Sequence, residues 1–220
     1  MRIGIFGGTF NPIHTAHLYV AEACREAMDL DRVVFVPAAV PPHKEVEYGV
    51  SPEHRLRMVE SAIKGNQYFS VSDIELRREG PSYSVNTVNI LQEEYGDSGR
   101  LFFLMGMDSF LDITSWHDSE RLITLCDFAT TFRPGYPHND LAQHRYVREI
   151  DLFMLDMLDA RERLLGKVEL ISGRRLWLVS SLGMDISSTE IRHRLKRRKS
   201  VKYLLPEPAL SYIIENRLYI

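Results

Sequence analysis

The sequence predicts an α/β fold, a Rossmann-like doubly wound sheet of parallel strands with a small helical part at its C-terminal end. Short apolar runs alternate with segments of helical periodicity along most of the 220 residues. Strands separated by helices pair in parallel through right-handed crossovers. The run at 100–108 is apolar almost throughout, as expected of a strand that is buried on both faces. We expect one domain over 1–220, with the helical portion at about 187–220.

The elements follow in order along the chain. Apolar runs rich in β-branched or aromatic residues predict strands at 2–7, 32–38, 69–76, 100–108, 127–135 and 175–181. Helical patterns are found at 15–28, 51–65, 82–96, 187–199 and 206–219, and residues 138–166 are expected to be mostly helical. The helix at 51–65 has clear ends, because Ser51 can cap it, Pro52 suits its first turn and Gly65 stops it. Two prolines exclude a helix from the loop at 39–50.

The composition of the chain argues against two classes of binding partner, nucleic acids and membranes. The net charge is −3, so nothing calls for a nucleic acid, and the basic residues of 194–199 are expected to form a solvated helix end. No apolar run approaches the roughly 20 residues that span a bilayer, so no membrane association is expected. The start "MRIGIFGG" does not resemble a signal peptide, and two lone cysteines suit reduced thiols. We expect a cytoplasmic protein, and the sequence leaves a homo-oligomer possible.

The stretch "GGTFNPIHTAHL" follows the first strand, at the sheet edge where α/β proteins bind ligands. Gly7 and Gly8 allow a sharp turn and the close approach of a ligand. His14 and His17 share one face at the start of a helix, where backbone amides and the helix dipole favour an anion. Two histidines can also bind a metal, but no third ligand is evident nearby. We therefore predict a phosphate site.

A second candidate for phosphate binding lies in "ISSTEIR", residues 186–192. Ser187, Ser188 and Thr189 are all good N-caps, and the amides of a helix N-terminus can hold phosphates. Arg192 lies one turn further on and can add a charged contact. An ordinary capped surface helix explains the same residues, and only the histidine element upstream makes the phosphate interpretation the better one.

These segments together resemble the nicotinate-nucleotide adenylyltransferase family of the HxGH nucleotidyltransferase superfamily. The resemblance starts at "GGTFNPIHTAHL" and covers nearly the whole chain. Its other motifs, in chain order, are PPHK (41–44), SYSVNTV (82–88), MGMDSF (105–110), SWH (115–117), FRPG (132–135), ISSTEIR (186–192) and LPEPALSYIIENRLY (205–219). The fold it implies is the nucleotidyltransferase fold. The activity it implies is transfer of the adenylyl group of ATP to nicotinate mononucleotide, giving deamido-NAD and pyrophosphate in NAD biosynthesis.

The resemblance also implies site residues. Catalysis is expected from charged or donor groups, namely His14, His17, Lys44 and Arg192. ATP contacts are expected at Gly8, Thr9, Phe10, His14, His17, Gly106, Asp108, Ser187, Ser188, Thr189 and Arg192. Contacts to the mononucleotide are expected at Asn11, Lys44, Tyr83, Ser84, Trp116, His117 and Arg133. No protein site for a metal is expected, and Mg²⁺ should arrive with ATP.

Some of these roles have ordinary structural alternatives. Asp108 ends a buried strand and could bind ribose hydroxyls or cap the next helix. Trp116 could stack on a pyridine ring or belong to the core, although its neighbours are polar. Lys44 could simply be exposed, as most lysines are.

Four positions depart from the family's motifs. Ala16 replaces the glycine of HxGH, and the turn should survive if its φ is negative. Asn11, Ser84 and Asn86 stand where the family has Asp, Thr and Asp. These changes leave the chemistry intact but bear on fine substrate preference.

Other functions stay open at this point. The chain could be a pantetheine-phosphate, cytidylyl or nicotinamide mononucleotide transferase, although the SWH and SYSVNT segments favour the nicotinate type. A class I aminoacyl-tRNA synthetase fragment would need a tRNA-binding surface. A non-catalytic nucleotide-binding module would not need the histidines, Lys44 and Arg192 together.

Overall fold

A computed structural model describes residues 1–42, 49–132 and 134–219, without the side chain of residue 97. The chain forms a seven-stranded sheet flanked by helices, which confirms the predicted α/β class. Its strands are β1 (Arg2–Gly8), β2 (Arg32–Pro37), β3 (Phe69–Val71), β4 (Arg100–Gly106), β5 (Asp127–Thr131), β6 (Leu165–Glu169) and β7 (Arg175–Val179).

The strand order is β3-β2-β1-β4-β5-β7-β6, and every pair is parallel except β6 with β7. The chain runs outward from β1 to β3 on one side and returns to β4 on the other side. The order therefore reverses between β1 and β4, where Arg2 pairs with Arg100 and Ile5 with Phe103. The carboxyl ends of these two strands form the crevice in which such sheets bind ligands.

Helices cover both faces of the sheet. They are α1 (Thr15–Ala27), α2 (Pro52–Ile63), α3 (Ser84–Tyr95), α4 (Met107–Leu111), α5 (Ser119–Leu125), α6 (Leu152–Asp159), α7 (Ser188–Lys196) and α8 (Glu207–Glu215). Buried residues of α3 to α6 pack against one face of the sheet, and those of α1, α2, α7 and α8 pack against the other. Neighbouring residues of β4 serve both cores, since Phe103 lies in the first and Phe102 in the second.

Three of the predicted strands are too long. β3 stops at Val71, because backbone amides of Leu76 and Arg77 turn back to the carbonyl of Asp73. β4 stops at Gly106, which caps α4, so Met107 and Asp108 are helical. β5 stops at Thr131. Apolar runs continue into the turns and helices that follow because those residues are buried there too.

The prediction of a mostly helical 138–166 is wrong. The structure has a 3-10 segment at His138–Gln143, the short helix α6, and then the edge strand β6, which begins at Leu165. The burial of β6 alternates, with Gly166 and Val168 buried and Lys167 and Glu169 exposed. That two-residue period, rather than a helical one, is the sequence signal for this strand.

The helix ends are close to those predicted. Ser51 caps α2 by accepting the amide of His54, and Pro52 opens that helix.

Within the residues that the structure describes, no helix is long and apolar enough to cross a membrane.

Candidate active site

A cleft of about 890 Å³ opens at the reversal point of the sheet. Its walls come from the loop after β1, the first turns of α1 and α4, the end of β5 and the segment before α7. The sequence folds this way because β1 ends in the glycine turn, β4 ends at Gly106, which is also the N-cap of α4, and Ser187 is the N-cap of α7. The cleft is therefore built from helix starts and strand ends.

The turn after β1 needs its second glycine. A Cβ atom at Gly8 would come within 3.0 Å of the ring of Phe10, which real contacts rarely reach. Phe10 itself has a φ of 48°, a left-handed conformation that turns its ring back over Gly8. The peptide bond between Asn11 and Pro12 is cis. This compact loop delivers His14 to the start of α1.

His14 and His17 lie against each other. Their rings stack with centroids 3.6 Å apart and an interplanar angle of 21°. The backbone N–H of His14 donates to Nδ1 of His17 over 3.2 Å. Because Nδ1 accepts, the proton of a neutral His17 ring is on Nε2. His14 is buried and His17 half-buried, with its ring edge-on to Phe10 at 5.1 Å. Both histidines line the cleft.

Most backbone N–H groups at the start of α1 already donate hydrogen bonds within the protein. The N–H of Thr15 donates to the carbonyl of Leu204 over 3.0 Å, and the N–H of His17 donates to the carbonyl of His14 over 2.9 Å. An anion at this end of α1 would therefore rely on the imidazoles and the helix dipole more than on free amides. This refines the expectation that the amides themselves hold phosphate.

The start of α7 is joined to the same loop. Ser187 caps the helix by accepting the amide of Glu190 over 3.2 Å, as predicted for a capping residue. The hydroxyl of Ser188 donates to the carbonyl of Pro12 over 2.9 Å. The amides of the first turn of a helix have no intrahelical acceptors. The α7 N-terminus thus faces the cleft beside the histidines.

Arg192 is buried rather than extended into the cleft. Its guanidinium donates to the carbonyl of Asn11 over 2.8 Å and to the hydroxyl of Thr189 over 3.2 Å. Only 6% of the residue is exposed, although it still contributes to the cleft wall. Part of its hydrogen-bonding capacity therefore holds the loop after β1 against α7.

The structure brings together every residue predicted to contact ATP. All of them line the cleft: Gly8, Thr9, Phe10, His14, His17, Gly106, Asp108, Ser187, Ser188, Thr189 and Arg192. Asp108 lies in the first turn of α4, and Gly106, not Asp108, is the N-cap residue of that helix. The capping alternative for Asp108 is therefore wrong.

The residues predicted to contact the mononucleotide are more scattered. Asn11 and Trp116 line the cleft, and Trp116 is half-buried with its ring edge-on to Phe103. His117 is exposed and its ring stacks on Tyr83 with centroids 3.9 Å apart, so the SWH and SYS segments touch. Ser84 begins α3 beside this stack. Lys44 and Arg133 lie outside the described residues.

The N-terminus of α3 is a second place where backbone N–H donors lie close together. The amides of Asn86 and Thr87 donate to the carbonyl of Tyr83, and the amide of Tyr83 donates to that of Pro81. Helix geometry leaves the N–H groups of the first two residues, Ser84 and Val85, without an intrahelical acceptor. Donors alone suit a carboxylate, which only accepts.

Sequence reasoning missed several parts of the site. Thr131 and Phe132 line the cleft where β5 ends, a position that the strand-end rule could have identified. Tyr19 also lines it, and its hydroxyl accepts the amide of Leu182 over 3.0 Å. Arg55, which is fully buried behind the cleft, carries no sequence signal, since arginines are usually exposed.

The described part of the chain contains no group of three or more His, Cys, Asp or Glu side chains that could hold a metal ion. Both cysteines are buried, and burial raises the pKa of each thiol to about 12. Neither cysteine is among the described residues that line the cleft.

Comparisons with known proteins identify the family. The family model described as cytidylyltransferase-like matches residues 5–194. A relative from Geobacter metallireducens, named probable nicotinate-nucleotide adenylyltransferase, is 44% identical over 220 residues, which is all of this chain and 98% of the relative. The chain belongs to the nicotinate-nucleotide adenylyltransferase family. A more distant member from Thermoanaerobacter is 36% identical over 219 residues, with 94% of its length covered.

Solved structures agree on the fold. The nicotinic acid mononucleotide adenylyltransferase of Plasmodium falciparum, complexed with NaAD, superposes with a TM-score of 0.73 over 99% of this chain and 97% of the other. Its complex with APC gives a TM-score of 0.71. Sequence identity in both cases is 20%, so these structures establish the shared fold of the family and not the roles of single residues.

Proposed function

We propose that the chain transfers the adenylyl group of ATP to nicotinate mononucleotide, forming deamido-NAD and releasing pyrophosphate. The observation that carries this proposal is the convergence of the stacked His14–His17 pair and the capped start of α7 on one cleft. Together they supply donors and positive dipoles for a polyphosphate. Full-length identity of 44% to a probable nicotinate-nucleotide adenylyltransferase supports the same activity.

The chemistry needs no covalent intermediate and no general base. The phosphate of the mononucleotide is already an anion, and it attacks the α-phosphorus of ATP in line as the bond to pyrophosphate breaks. Catalysis then consists of positioning and of stabilising charge on the transferring phosphorus and the leaving group. The proton on Nε2 of His17 can donate to those oxygens, because Nδ1 is held by the backbone of His14.

His14 and the α7 N-terminus position the phosphates in this proposal. His14 supports His17 by ring stacking and fixes its tautomer through its own N–H. Lys44 and Arg192 add positive charge, with Arg192 acting partly through the loop that it holds. Asp108, which lines the cleft from the first turn of α4, is suited to ribose hydroxyls, since a carboxylate accepts from both.

The mononucleotide lies toward Trp116 and the start of α3 in this proposal. Trp116 offers a ring face beside Phe103, and the amides of Ser84 and Val85 offer donors for the nicotinate carboxylate. The exposed ring of His117 packs on Tyr83 and keeps the two segments together. Asn11 and Arg133 complete the proposed contacts.

A divalent cation belongs to the ATP substrate in this proposal. Mg²⁺ would arrive bound to the phosphates and would keep several of its waters, so it needs no dedicated cage of protein side chains. The ion would neutralise charge on the leaving pyrophosphate. We also propose the cytoplasm as the location, which suits the two cysteines as reduced thiols.

The test is pyrophosphate release measured with a coupled assay. ATP alone, nicotinate mononucleotide alone, both together, and ATP with phosphopantetheine are compared at equal enzyme concentration. Release only with ATP and the mononucleotide, with deamido-NAD identified by mass, is the expected result. Release with phosphopantetheine instead would assign the chain to another transferase activity. ATP binding without any release would show a non-catalytic nucleotide-binding module.

A further inference from the structure

Arg55 is a charged side chain with no solvent exposure, in the first half of α2. Its guanidinium donates to the carbonyl of Thr9 over 2.8 Å, to that of Ala39 over 3.0 Å, and also to that of Ala38. Thr9 belongs to the glycine turn that lines the cleft. Ala38 and Ala39 belong to the segment that leaves β2. One side chain thus holds two loops.

The second of these loops leads to the start of α3. Val40 and Ser82 are joined in both directions, since the amide of Ser82 donates to the carbonyl of Val40 over 2.9 Å and the amide of Val40 donates to the hydroxyl of Ser82 over 3.1 Å. Ser82 lies two residues before Ser84. A continuous set of bonds therefore runs from the glycine turn through Arg55 to the proposed nicotinate end of the cleft.

A buried guanidinium is a costly way to join two loops. Burial lowers the pKa of Arg55, and the nearby groups of Tyr219, Glu53 and Glu75 oppose that effect. The three carbonyls accept from two different nitrogens of the planar guanidinium. The three N–H donors of a lysine all lie on one nitrogen, so lysine cannot reproduce this geometry. Arg55 is not among the described residues that line the cleft, so it does not contact a substrate there.

We propose that Arg55 is a positioning residue that sets the distance between the ATP loop and the segment that leads to the mononucleotide. This inference rests on the proposed adenylyl transfer. In-line attack needs the two substrates at a fixed separation, and an error near 1 Å can cost about 10²-fold in rate. Arg55 would therefore act on the chemical step more than on the binding of either substrate alone.

The test compares Arg55→Lys with Arg57→Lys in the full chain. Arg57 is on the same helix, but its side chain is 63% exposed and pairs with Glu60, which makes it the matched control. We expect Arg55→Lys to lower kcat by about 10- to 100-fold while the dissociation constants of ATP and of nicotinate mononucleotide, each measured alone, change less than about threefold. Arg57→Lys should match the wild type in every respect. Added guanidinium at millimolar concentration should restore part of the activity of Arg55→Ala.

Three results would contradict either the positioning role of Arg55 or the proposed function. An unchanged kcat in Arg55→Lys overturns the positioning role, and so does a loss that is only a weaker affinity for ATP. Absence of pyrophosphate release by the wild type refutes the proposed function itself.

A measurement on the wild type covers the case in which Arg55 variants do not fold. Hydrogen exchange is followed at the amides of Ala39 and Val40, with and without a non-hydrolysable ATP analogue. Pro41 and Pro42 carry no N–H, and the amide of Ala38 donates to the carbonyl of Gly8, so it reports on the glycine turn directly. Binding at the glycine turn should slow exchange at Ala39 and Val40 if Arg55 couples the loops. Unchanged exchange there, with slower exchange at 7–10, would overturn the inference.

Discussion

The hydroxyl of Tyr219 donates to Oδ1 of Asn11 over 2.6 Å, and both residues are buried. Arg192 binds the carbonyl of the same asparagine. The loop after β1 is thus held at one residue by the C-terminal segment and by α7. Asn11 occupies the position of a family aspartate, and its neutral amide oxygen still accepts the tyrosine hydroxyl. The replacement of the family's aspartate by Asn11 therefore preserves the hydrogen bond with Tyr219.

Tyr219→Phe should weaken the fold through this bond. Leaving a buried acceptor without its donor costs about 1–3 kcal/mol, so the free energy of unfolding in urea should fall by that amount. Tyr203→Phe is the matched control, because Tyr203 is 81% exposed and its loss should change stability by less than about 0.5 kcal/mol. Equal stability of Tyr219→Phe and the wild type would show that the hydroxyl does not hold Asn11.

His17→Ala should lower kcat by about 10²-fold, the scale for losing one donor to developing negative charge. The imidazole is not the loose surface group that helical spacing alone suggests, since it packs on His14 and Phe10. Some stability should be lost as well, and folding is checked by circular dichroism. His193→Ala, an exposed histidine on α7, should keep full activity. A kcat in His17→Ala equal to that of the wild type would contradict the role.

Ala16→Gly tests the departure from HxGH. Ala16 lies in the first turn of α1 and is absent from the described residues with positive φ, which confirms the ordinary helical conformation expected of it. Restoring the glycine of the family motif should therefore cost stability, by about 1 kcal/mol, with kcat/KM within a few-fold of the wild type. A higher melting temperature for the glycine variant would contradict this account.

Alkaline pH should destabilise the protein through its buried thiols. Burial raises the pKa of Cys24 and Cys126 to about 12 from an ordinary value of 9.0. A group whose pKa is raised on folding stabilises fully below the unfolded value, and that contribution is lost as pH rises from 9 toward 12. Each thiol then lowers the free energy of unfolding by about 1.4 kcal/mol per pH unit. Cys24→Ala should make the fall between pH 10 and 11 shallower by about that amount. The same slope in both proteins would refute the assignment.

More of the cleft than of the edges of the sheet could be predicted from the sequence. Glycines, N-caps and histidines are local signals, and they put the residues predicted for ATP on one wall because parallel strands end at one edge. The strand β6 was missed and β3 was predicted too long, because apolar content does not distinguish strands, turns and short helices. Arg55 and Tyr219 act through bonds to residues that are far apart in sequence, and no local pattern encodes such partners.

In the proposed reaction, this site adenylylates the acid form of the mononucleotide. The acid and the amide differ at one group, which the proposed donors at Ser84 and Val85 would meet. A carboxamide would present an NH₂ to those donors with no acceptor, and an unpaired buried polar group costs about 1–3 kcal/mol, or roughly 5- to 150-fold. Ser84 keeps the hydroxyl of the family's threonine, so the preference should survive that change.

The most direct measurement is kcat/KM for nicotinate mononucleotide and for nicotinamide mononucleotide, determined with ATP in one pyrophosphate-release assay. We predict a ratio of at least about 5 in favour of the acid form. A ratio near one, or a preference for the amide, would contradict the claim that the start of α3 recognises the nicotinate carboxylate.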